Sequence, residues 1–184
     1  MILYHTVEDR DNPDQIEAEA PFLCARQSAW LGSGYYLWEQ FLQHAHWWGD
    51  CAYRKRGKSY VVVQFECVSP QEGKCFDLFG NTEHLKEFGK VCEYLKSKNL
   101  PKTITVPKVI EFMRSTTDFN KRYDSIRARD NNVGSDIVKF QENKSPYMEL
   151  CPRIQLCLFS KSSLRLGKGR IIYPDHYIQD DLYI

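Results

Sequence analysis

Two short runs of β-branched and aromatic residues most limit the folds open to this chain. Ser59 to Val68 and Ile154 to Phe159 both carry the residue types that favour strands. Between them lie longer segments with helical spacing of apolar residues, from Asn81 to about Lys98 and from Val106 to Ser115. Strands and helices in this mixed order predict an α+β fold in which the strands pair largely antiparallel.

The rest of the chain gives weaker patterns. Residues 1–7 have a strand-like run, residues 8–20 are acidic and polar and predict a loop, and residues 21–25 predict a brief strand. Further short strands are expected at 75–78, 124–129 and 136–140, with a loop at 116–122 and no clear pattern in the tail from 167 to 184.

A helix is predicted directly after the break at Gly32-Ser33-Gly34. Apolar residues recur at helical spacing from Leu37 to Ala52, which indicates one face turned towards a core. Neighbouring residues on a helix point about 100° apart, so Trp47 and Trp48 do not both face that core. Trp48 and Trp38 are assigned to the core, and Trp47 is left to face a cleft.

Length and charge narrow the class of protein. A chain of 184 residues fits one domain, spanning 1–184. With 25 basic and 24 acidic residues the net charge is +1, which gives no support for a nucleic-acid partner. No signal peptide and no apolar run long enough for a membrane span is present, so a cytoplasmic location without membrane contact is expected. The seven cysteines lack CxxC spacing, and neither a disulfide framework nor a metal site is predicted.

Three segments carry residue types suited to a binding site. Leu3-Tyr4-His5-Thr6 ends a strand with an imidazole beside a small polar residue, which can present a ring and a backbone amide side by side. Gly32-Ser33-Gly34-Tyr35-Tyr36 joins two glycines, which let backbone approach a ligand closely, to an aromatic side chain. Gln155 interrupts the apolar strand Ile154 to Phe159. The glycine pair lacks the third glycine and the preceding strand of a dinucleotide fingerprint, so a Rossmann fold is not predicted.

The order of these segments resembles the ADP-ribosyltransferases of the His-Tyr-Glu class, the poly-ADP-ribose polymerase and diphtheria-toxin-like enzymes. In that class a strand ends in His and a small residue, and a G-x-G-aromatic-Tyr element leads into a helix. An aromatic residue follows eleven positions after the Tyr, as Trp47 follows Tyr36 here. A late strand carries the Glu, for which this chain has Gln155. An uncharacterised bacterial branch of the fold is similar in carrying Gln at that place.

The resemblance implies a split antiparallel β-sandwich with flanking helices and with NAD, as substrate, in its cleft. The Thr6 backbone would pair with the nicotinamide carboxamide, and His5 would bond a ribose hydroxyl. Tyr36 and Trp47 would hold the nicotinamide ring between them, since aromatic faces attract a cationic ring. The Gly34 backbone would lie close to the same cofactor.

The implied reaction breaks the bond between nicotinamide and ribose, with Gln155, His5 and Tyr36 as the catalytic set. Positive charge develops on the sugar, and a neutral Gln supplies no charge to offset it. Glu149 upstream of the strand is one candidate for the missing carboxylate, and Glu39, otherwise a solvated helix residue, is another. The expected function is mono-ADP-ribosyl transfer to an unknown protein or nucleic-acid acceptor with release of nicotinamide.

Other functions stay open on the sequence. The same fold with Gln155 also suits a module that binds NAD or ADP-ribose with weak turnover or none, or an NAD glycohydrolase. A cysteine hydrolase that uses His5 or His46 has no supporting spacing. Metal binding by His44-Ala45-His46 is disfavoured because residues two apart on a helix point to different sides.

Overall fold

The computed structural model describes residues 1–26, 29–67, 74–98, 103–130, 137–141, 147–163 and 166–178. Within these ranges the strands are β1 (Ile2–Glu8), β2 (Leu23–Cys24), β3 (Gly34–Glu39), β4 (Tyr60–Glu66), β5 (Cys75–Asp77), β6 (Ser125–Arg129), β7 (Ile137–Lys139), β8 (Tyr147–Glu149), β9 (Ile154–Leu158) and β10 (Arg170–Tyr173). The α-helices are α1 (Pro13–Glu19), α2 (Leu42–Ala52), α3 (Thr82–Ser97), α4 (Val106–Thr116) and α5 (Phe119–Arg122).

One large sheet organises the chain. Its strands follow the order β10-β4-β1-β3-β9-β6-β5, and β2 also pairs with β3. The pairs are antiparallel except for β5 and β6, which run parallel. Strands β7 and β8 form a separate hairpin. The predicted α+β class with mostly antiparallel pairing is confirmed.

Helices cover both faces of this sheet. On one face, Leu3, Leu37 and Leu156 of the central strands pack in one cluster with Ile16 of α1. The other face carries two clusters, because successive strand residues point to opposite sides. One cluster forms where α2 packs against β1, β3 and β4, and the other where α3, α4 and α5 pack against β5, β6 and β9.

The predicted helix from Leu37 to Ala52 is wrong in its first part. Gly34–Glu39 is strand β3, and α2 begins at Leu42. Between them Gln40 has a φ of 65°, in the left-handed region, and the chain makes a tight turn there, in which Phe41 N–H donates to the Glu39 carbonyl at 2.8 Å. The apolar residues from Leu37 onwards fit a helical period, but β3 is held between β1 and β9, and this pairing decides its conformation.

Three further expectations differ from the structure. The predicted loop at 8–20 contains helix α1, which has a proline in its first turn, and the predicted loop at 116–122 contains the short helix α5. The tail forms strand β10 within 167–178, while residues 179–184 lie outside the described part. The predicted cap of α3 is confirmed, since the Asn81 side chain accepts from the N–H groups of Glu83 and His84.

Candidate functional site

The large sheet splits between β1 and β3. Among the described strands these two pair over two residues, Leu3 opposite Glu39 and Tyr4 opposite Trp38. By contrast, β1 pairs with β4 along its whole length. On the far side of the split β3 pairs with β2 at Tyr35 instead. A gap therefore opens between β1 and β3 beyond Tyr4, in the middle of the sheet.

The backbone of Thr6 faces this gap. Ile2 C=O accepts from Gln40 N–H at 3.1 Å on the β3 side, whereas Met1 C=O accepts from Cys67 N–H at 3.0 Å on the β4 side. Alternate residues of a strand direct their N–H and C=O groups to the same side, so Thr6 follows Ile2 and points both groups towards β3. The β1–β3 pairing ends before Thr6, which leaves this donor and acceptor at the edge of the gap.

The ring of His5 fills the start of the gap. Nδ1 donates to the Tyr36 carbonyl at 2.9 Å, and Nε2 accepts from Phe22 N–H at 3.2 Å, which one neutral tautomer satisfies. Burial lowers the pKa of His5 to about 4, so the imidazole is uncharged at neutral pH. The predicted bond from His5 to a ribose hydroxyl would have to displace one of these backbone partners.

Tyr36 fixes the loop that precedes β3. Its hydroxyl accepts from Leu31 N–H at 2.9 Å and donates to the Gly32 carbonyl at 2.7 Å. Gly32 has a φ of 84°, which glycine adopts without strain, so the loop can turn back onto the ring. Burial raises the pKa of the Tyr36 phenol, which stays protonated. Tyr36 is half-buried, and its two hydrogen bonds hold the loop around Leu31 and Gly32 at the edge of the site.

Trp47 packs beside the site on another aromatic residue. Its ring lies 6.0 Å from the ring of Trp38 in an edge-on arrangement, and the Arg153 guanidinium lies 4.4 Å from its centroid. In the described part of the chain no ring contact joins Trp47 to Tyr36. Trp38 and Tyr36 stand two residues apart on one face of β3, a rise of roughly 6.6 Å, and the ring contact of Trp47 is with Trp38.

Trp38 is buried as predicted, but the assignment of Trp48 to the core is wrong. Trp48 is 36% exposed. The inward stripe of α2 consists of smaller residues, and Gly49 lies so close to Tyr60 that a Cβ there would stand 2.5 Å from the ring. The helix therefore approaches the sheet too closely for an indole to fit between them.

Gln155 lies on β9, with Trp38 of β3 opposite it on one side and Ala128 of β6 on the other. It is 7% exposed, so it is not an outward polar residue. Its Oε1 accepts from the indole N–H of Trp30 at 2.6 Å. A buried amide oxygen is thus satisfied by an aromatic residue of the loop that Tyr36 holds.

Glu39 and Glu149, the two candidates for the missing carboxylate beside Gln155, each pair with an arginine. Glu39 is 6% exposed and accepts from Arg127 Nε at 2.6 Å and Nη2 at 2.9 Å, so its assignment as a solvated helix residue is wrong. It follows Trp38 on β3 and therefore points to the face opposite Gln155. Glu149 forms an ion pair with Arg129. Among the described residues, no carboxylate is hydrogen-bonded to Gln155.

Gly34 allows another part of the molecule to approach its backbone closely, and in the structure that part is strand β9. A Cβ at this position would lie 2.5 Å from Cys157 Sγ and 2.5 Å from the Leu158 carbonyl oxygen, both on β9. The glycine lets β3 and β9 come together next to Tyr36. The predicted contact of Gly34 with a cofactor stays a prediction. The close packing of β3 on β9 is enough to explain why a glycine stands at this position.

The histidines of α2 make separate contacts. His44 Nε2 lies 3.2 Å from the Cys151 carbonyl, and His46 Nδ1 lies 3.1 Å from the Tyr60 hydroxyl. This divergence follows from their spacing of two residues on a helix. No group of three or more His, Cys, Asp or Glu side chains in the described ranges could hold a metal ion. All seven cysteines are free thiols.

Three residues of this region carried no recognisable signal in the sequence. Trp30 bonds Gln155, Phe22 N–H bonds His5, and Arg153 covers Trp47. Trp30 lies in an irregular segment, and Phe22 lies within the predicted brief strand 21–25, which is too short for a period to indicate what its residues contact. Their role depends on pairings between parts of the chain that are far apart in sequence.

None of the helices within the described ranges is both long and apolar enough to cross a membrane. Comparison of the chain with protein-family models, curated proteins and solved structures finds no match.

Proposed function

We propose that this chain is an ADP-ribosyltransferase-type domain that binds NAD at the gap between β1 and β3 and transfers ADP-ribose to an acceptor. The observation that carries the proposal is the backbone of Thr6, which directs one donor and one acceptor into that gap. A primary carboxamide such as that of nicotinamide offers the complementary pair, an N–H that donates and an oxygen that accepts. Two such bonds would fix the orientation of the nicotinamide ring.

The topology supports the same proposal. His5-Thr6, Tyr36 and Gln155 lie far apart in sequence but occupy the three adjacent strands β1, β3 and β9. The sheet divides at these strands into a β10-β4-β1 part and a β3-β9-β6-β5 part, in keeping with the split sandwich of the proposed family.

In the proposed reaction the bond between the ribose carbon C1 and the nicotinamide nitrogen breaks. Nicotinamide leaves with the bonding electron pair and becomes neutral, and the acceptor's nucleophile bonds C1 and loses its proton. Gln155 would bond a hydroxyl of the nicotinamide ribose and so position the sugar. It adds no negative charge, and Glu39 and Glu149 are already paired with arginines. We therefore propose slow transfer of single ADP-ribose units.

A second candidate is binding of NAD without turnover, which the neutral Gln155 favours. Incubation with NAD labelled in its adenylate half separates the alternatives. Label on a macromolecule together with nicotinamide release supports transfer, and free ADP-ribose with nicotinamide indicates a glycohydrolase. Binding by calorimetry with no nicotinamide released over hours indicates a binding module. Absence of NAD binding at millimolar concentration contradicts all three.

The role of the Thr6 backbone is tested by Thr6→Pro. Proline removes the N–H that faces the gap and keeps the hydrogen bonds to β4, because by the alternation along β1 Thr6 directs its N–H away from that strand. We expect the affinity for nicotinamide, measured by calorimetry, to fall by about tenfold or more. Nicotinic acid should bind the unaltered chain more weakly than nicotinamide, since its carboxylate has no N–H for the Thr6 carbonyl.

Thr6→Val is the matched control. It removes the hydroxyl that donates to the Ala45 carbonyl at 2.9 Å, as proline also does, but it keeps the backbone N–H. Thr6→Val should therefore bind nicotinamide like the unaltered chain. Equal loss of affinity in both variants, with circular dichroism unchanged, would show that the backbone amide is not the contact.

Gln155→Glu is expected to raise the rate of nicotinamide release by about tenfold or more, which corresponds to about 1.4 kcal/mol of transition-state stabilisation. A carboxylate accepts from the Trp30 indole as the amide oxygen does, so the local contacts are kept. Gln64→Glu, which adds the same charge at a half-buried position of β4 opposite Tyr4, serves as the control and should leave the rate unchanged. Chromatography of released nicotinamide gives the measurement. No gain in a variant that still binds NAD would mean that charge is not what limits turnover.

A further inference from the structure

A cavity of about 710 Å³ lies between the loop that precedes β3 and helix α4. The loop contributes Arg26, Ala29, Gly32 and Ser33, and the helix with its N-cap contributes residues from Thr105 to Ser115. His5, Thr6, Tyr36, Trp47 and Gln155 do not line it. Its volume lies within the range of pockets that hold small organic molecules.

The charge of this cavity is positive. Arg26, Lys108 and Arg114 line it, against the single carboxylate of Glu111. None of the three cations forms an ion pair with a carboxylate in the described part of the chain. Unpaired cations around a cavity attract anions, and guanidinium groups match phosphate in particular.

One of the cations is held in place before any ligand arrives. Arg114 Nη1 donates to the Ser33 carbonyl at 2.9 Å and Nε donates to Asn120 Oδ1 at 3.2 Å. Its guanidinium lies 4.1 Å from the centroid of the Phe159 ring. A fixed guanidinium loses little conformational entropy when it binds an anion. Arg26 and Lys108 are exposed at the rim of the cavity, and the Lys108 ammonium donates to the Thr103 carbonyl at 3.2 Å, an exposed bond that a phosphate oxygen can replace.

The rest of the lining suits an organic body attached to the anion. Ala29 and Ile110 are 8% and 0% exposed and give the cavity an apolar wall, next to Pro107. Inorganic phosphate would leave most of this volume unfilled. We propose that the cavity binds a phosphate monoester of about mononucleotide size, at a place separate from the proposed NAD site.

This second site would share a wall with the first. Ala29 and Gly32 line the cavity, and between them Trp30 bonds Gln155 while Leu31 N–H bonds the Tyr36 hydroxyl. A ligand in the cavity would therefore lie against the loop that also holds two residues of the proposed NAD site. The cavity's binding is nevertheless measurable without NAD, which keeps this inference independent of the proposed function.

Calorimetry of the full chain with adenosine 5′-monophosphate tests the proposal. Binding is expected, with inorganic phosphate and adenosine each weaker by about tenfold or more, since each lacks one part of the ligand. NAD is expected not to displace the monophosphate. A 5′-phosphorylated oligonucleotide is expected to bind no more tightly than the mononucleotide. Absence of monophosphate binding at millimolar concentration, equal affinity for inorganic phosphate, displacement by NAD, or much tighter oligonucleotide binding would each overturn the assignment.

Two exposed cations locate the site without a risk to folding. Arg26→Gln and Lys108→Gln should each weaken monophosphate binding by roughly five- to tenfold, whereas Lys90→Gln on the exposed side of α3 should not. As a second measurement, the monophosphate should protect Lys108 and not Lys90 from acetylation, as read by mass spectrometry. Unchanged affinity in both cavity variants, or equal acetylation of Lys108 with and without ligand, would place the ligand elsewhere.

Discussion

Replacing Gly34 by alanine is expected to lower the free energy of unfolding by about 3 kcal/mol or more. The added methyl group would stand 2.5 Å from both Cys157 Sγ and the Leu158 carbonyl oxygen. Because one of these atoms is backbone, no side-chain rotation relieves the contact, and β3 and β9 must move apart. Tyr36 lies opposite Cys157 in that pairing, so the loop held by its hydroxyl should move as well. Urea denaturation gives the free energy of unfolding.

Gly89→Ala is the matched control for this prediction. Gly89 lies inside α3, and a Cβ there meets nothing within 4 Å. Alanine favours a helix interior over glycine, so this variant should be more stable by about 0.5–1 kcal/mol. If Gly34→Ala unfolds at the same urea concentration as the unaltered chain, the close packing of β3 on β9 is not needed for the fold.

Arg127→Met is expected to cost about 3–5 kcal/mol of stability. Arg127 joins Glu39 on β3 to Asp77 on β5, with Nε 2.6 Å from Glu39 Oε2 and Nη1 3.1 Å from Asp77 Oδ2. The Glu39 side chain is buried, so removal of the guanidinium leaves a buried carboxylate without its counter-charge. Thermal and urea unfolding should both register the loss.

Two further variants separate charge burial from lost packing. In Arg127→Met combined with Glu39→Gln the buried charge is absent, and at least half of the lost stability should return. Lys121→Met removes an exposed cation that lies 2.8 Å from Asp118, and it should change stability by less than about 0.5 kcal/mol. If the double variant is as unstable as Arg127→Met alone, the lost stability comes from lost packing and not from the buried charge.

Much of the fold could be predicted from local pattern. The strands at β1, β4 and β9 and the helices α3 and α4 show period or composition strongly enough to identify them. The boundary between β3 and α2 could not be predicted, because apolar residues from Leu37 to Ala52 satisfy a helical period on both sides of it. Pairing of β3 with two neighbouring strands, which no local window contains, decides its conformation.

For the candidate site, the family resemblance grouped three segments of the chain, but it gave neither the strand at Tyr36 nor the contacts of the side chains. His5, Tyr36 and Gln155 do lie on adjacent strands. Trp47, however, packs on Trp38 and under Arg153, and the contact to Gln155 comes from Trp30. The contacts of these side chains depend on the residue at which β1 and β3 stop pairing. A hydrophobic pattern does not indicate that residue.

The position of His5 bears on how quickly a ligand can be captured. Its imidazole occupies the hydrogen bond that the next rung of the β1–β3 ladder would have made at Tyr36, so the separation of the two strands is already in place. Nicotinamide, which in the proposed mode pairs with the Thr6 backbone and does not bond His5, has no rung to break. Its encounter should therefore proceed in one kinetic phase, linear in nicotinamide concentration under stopped flow, without a preceding isomerisation.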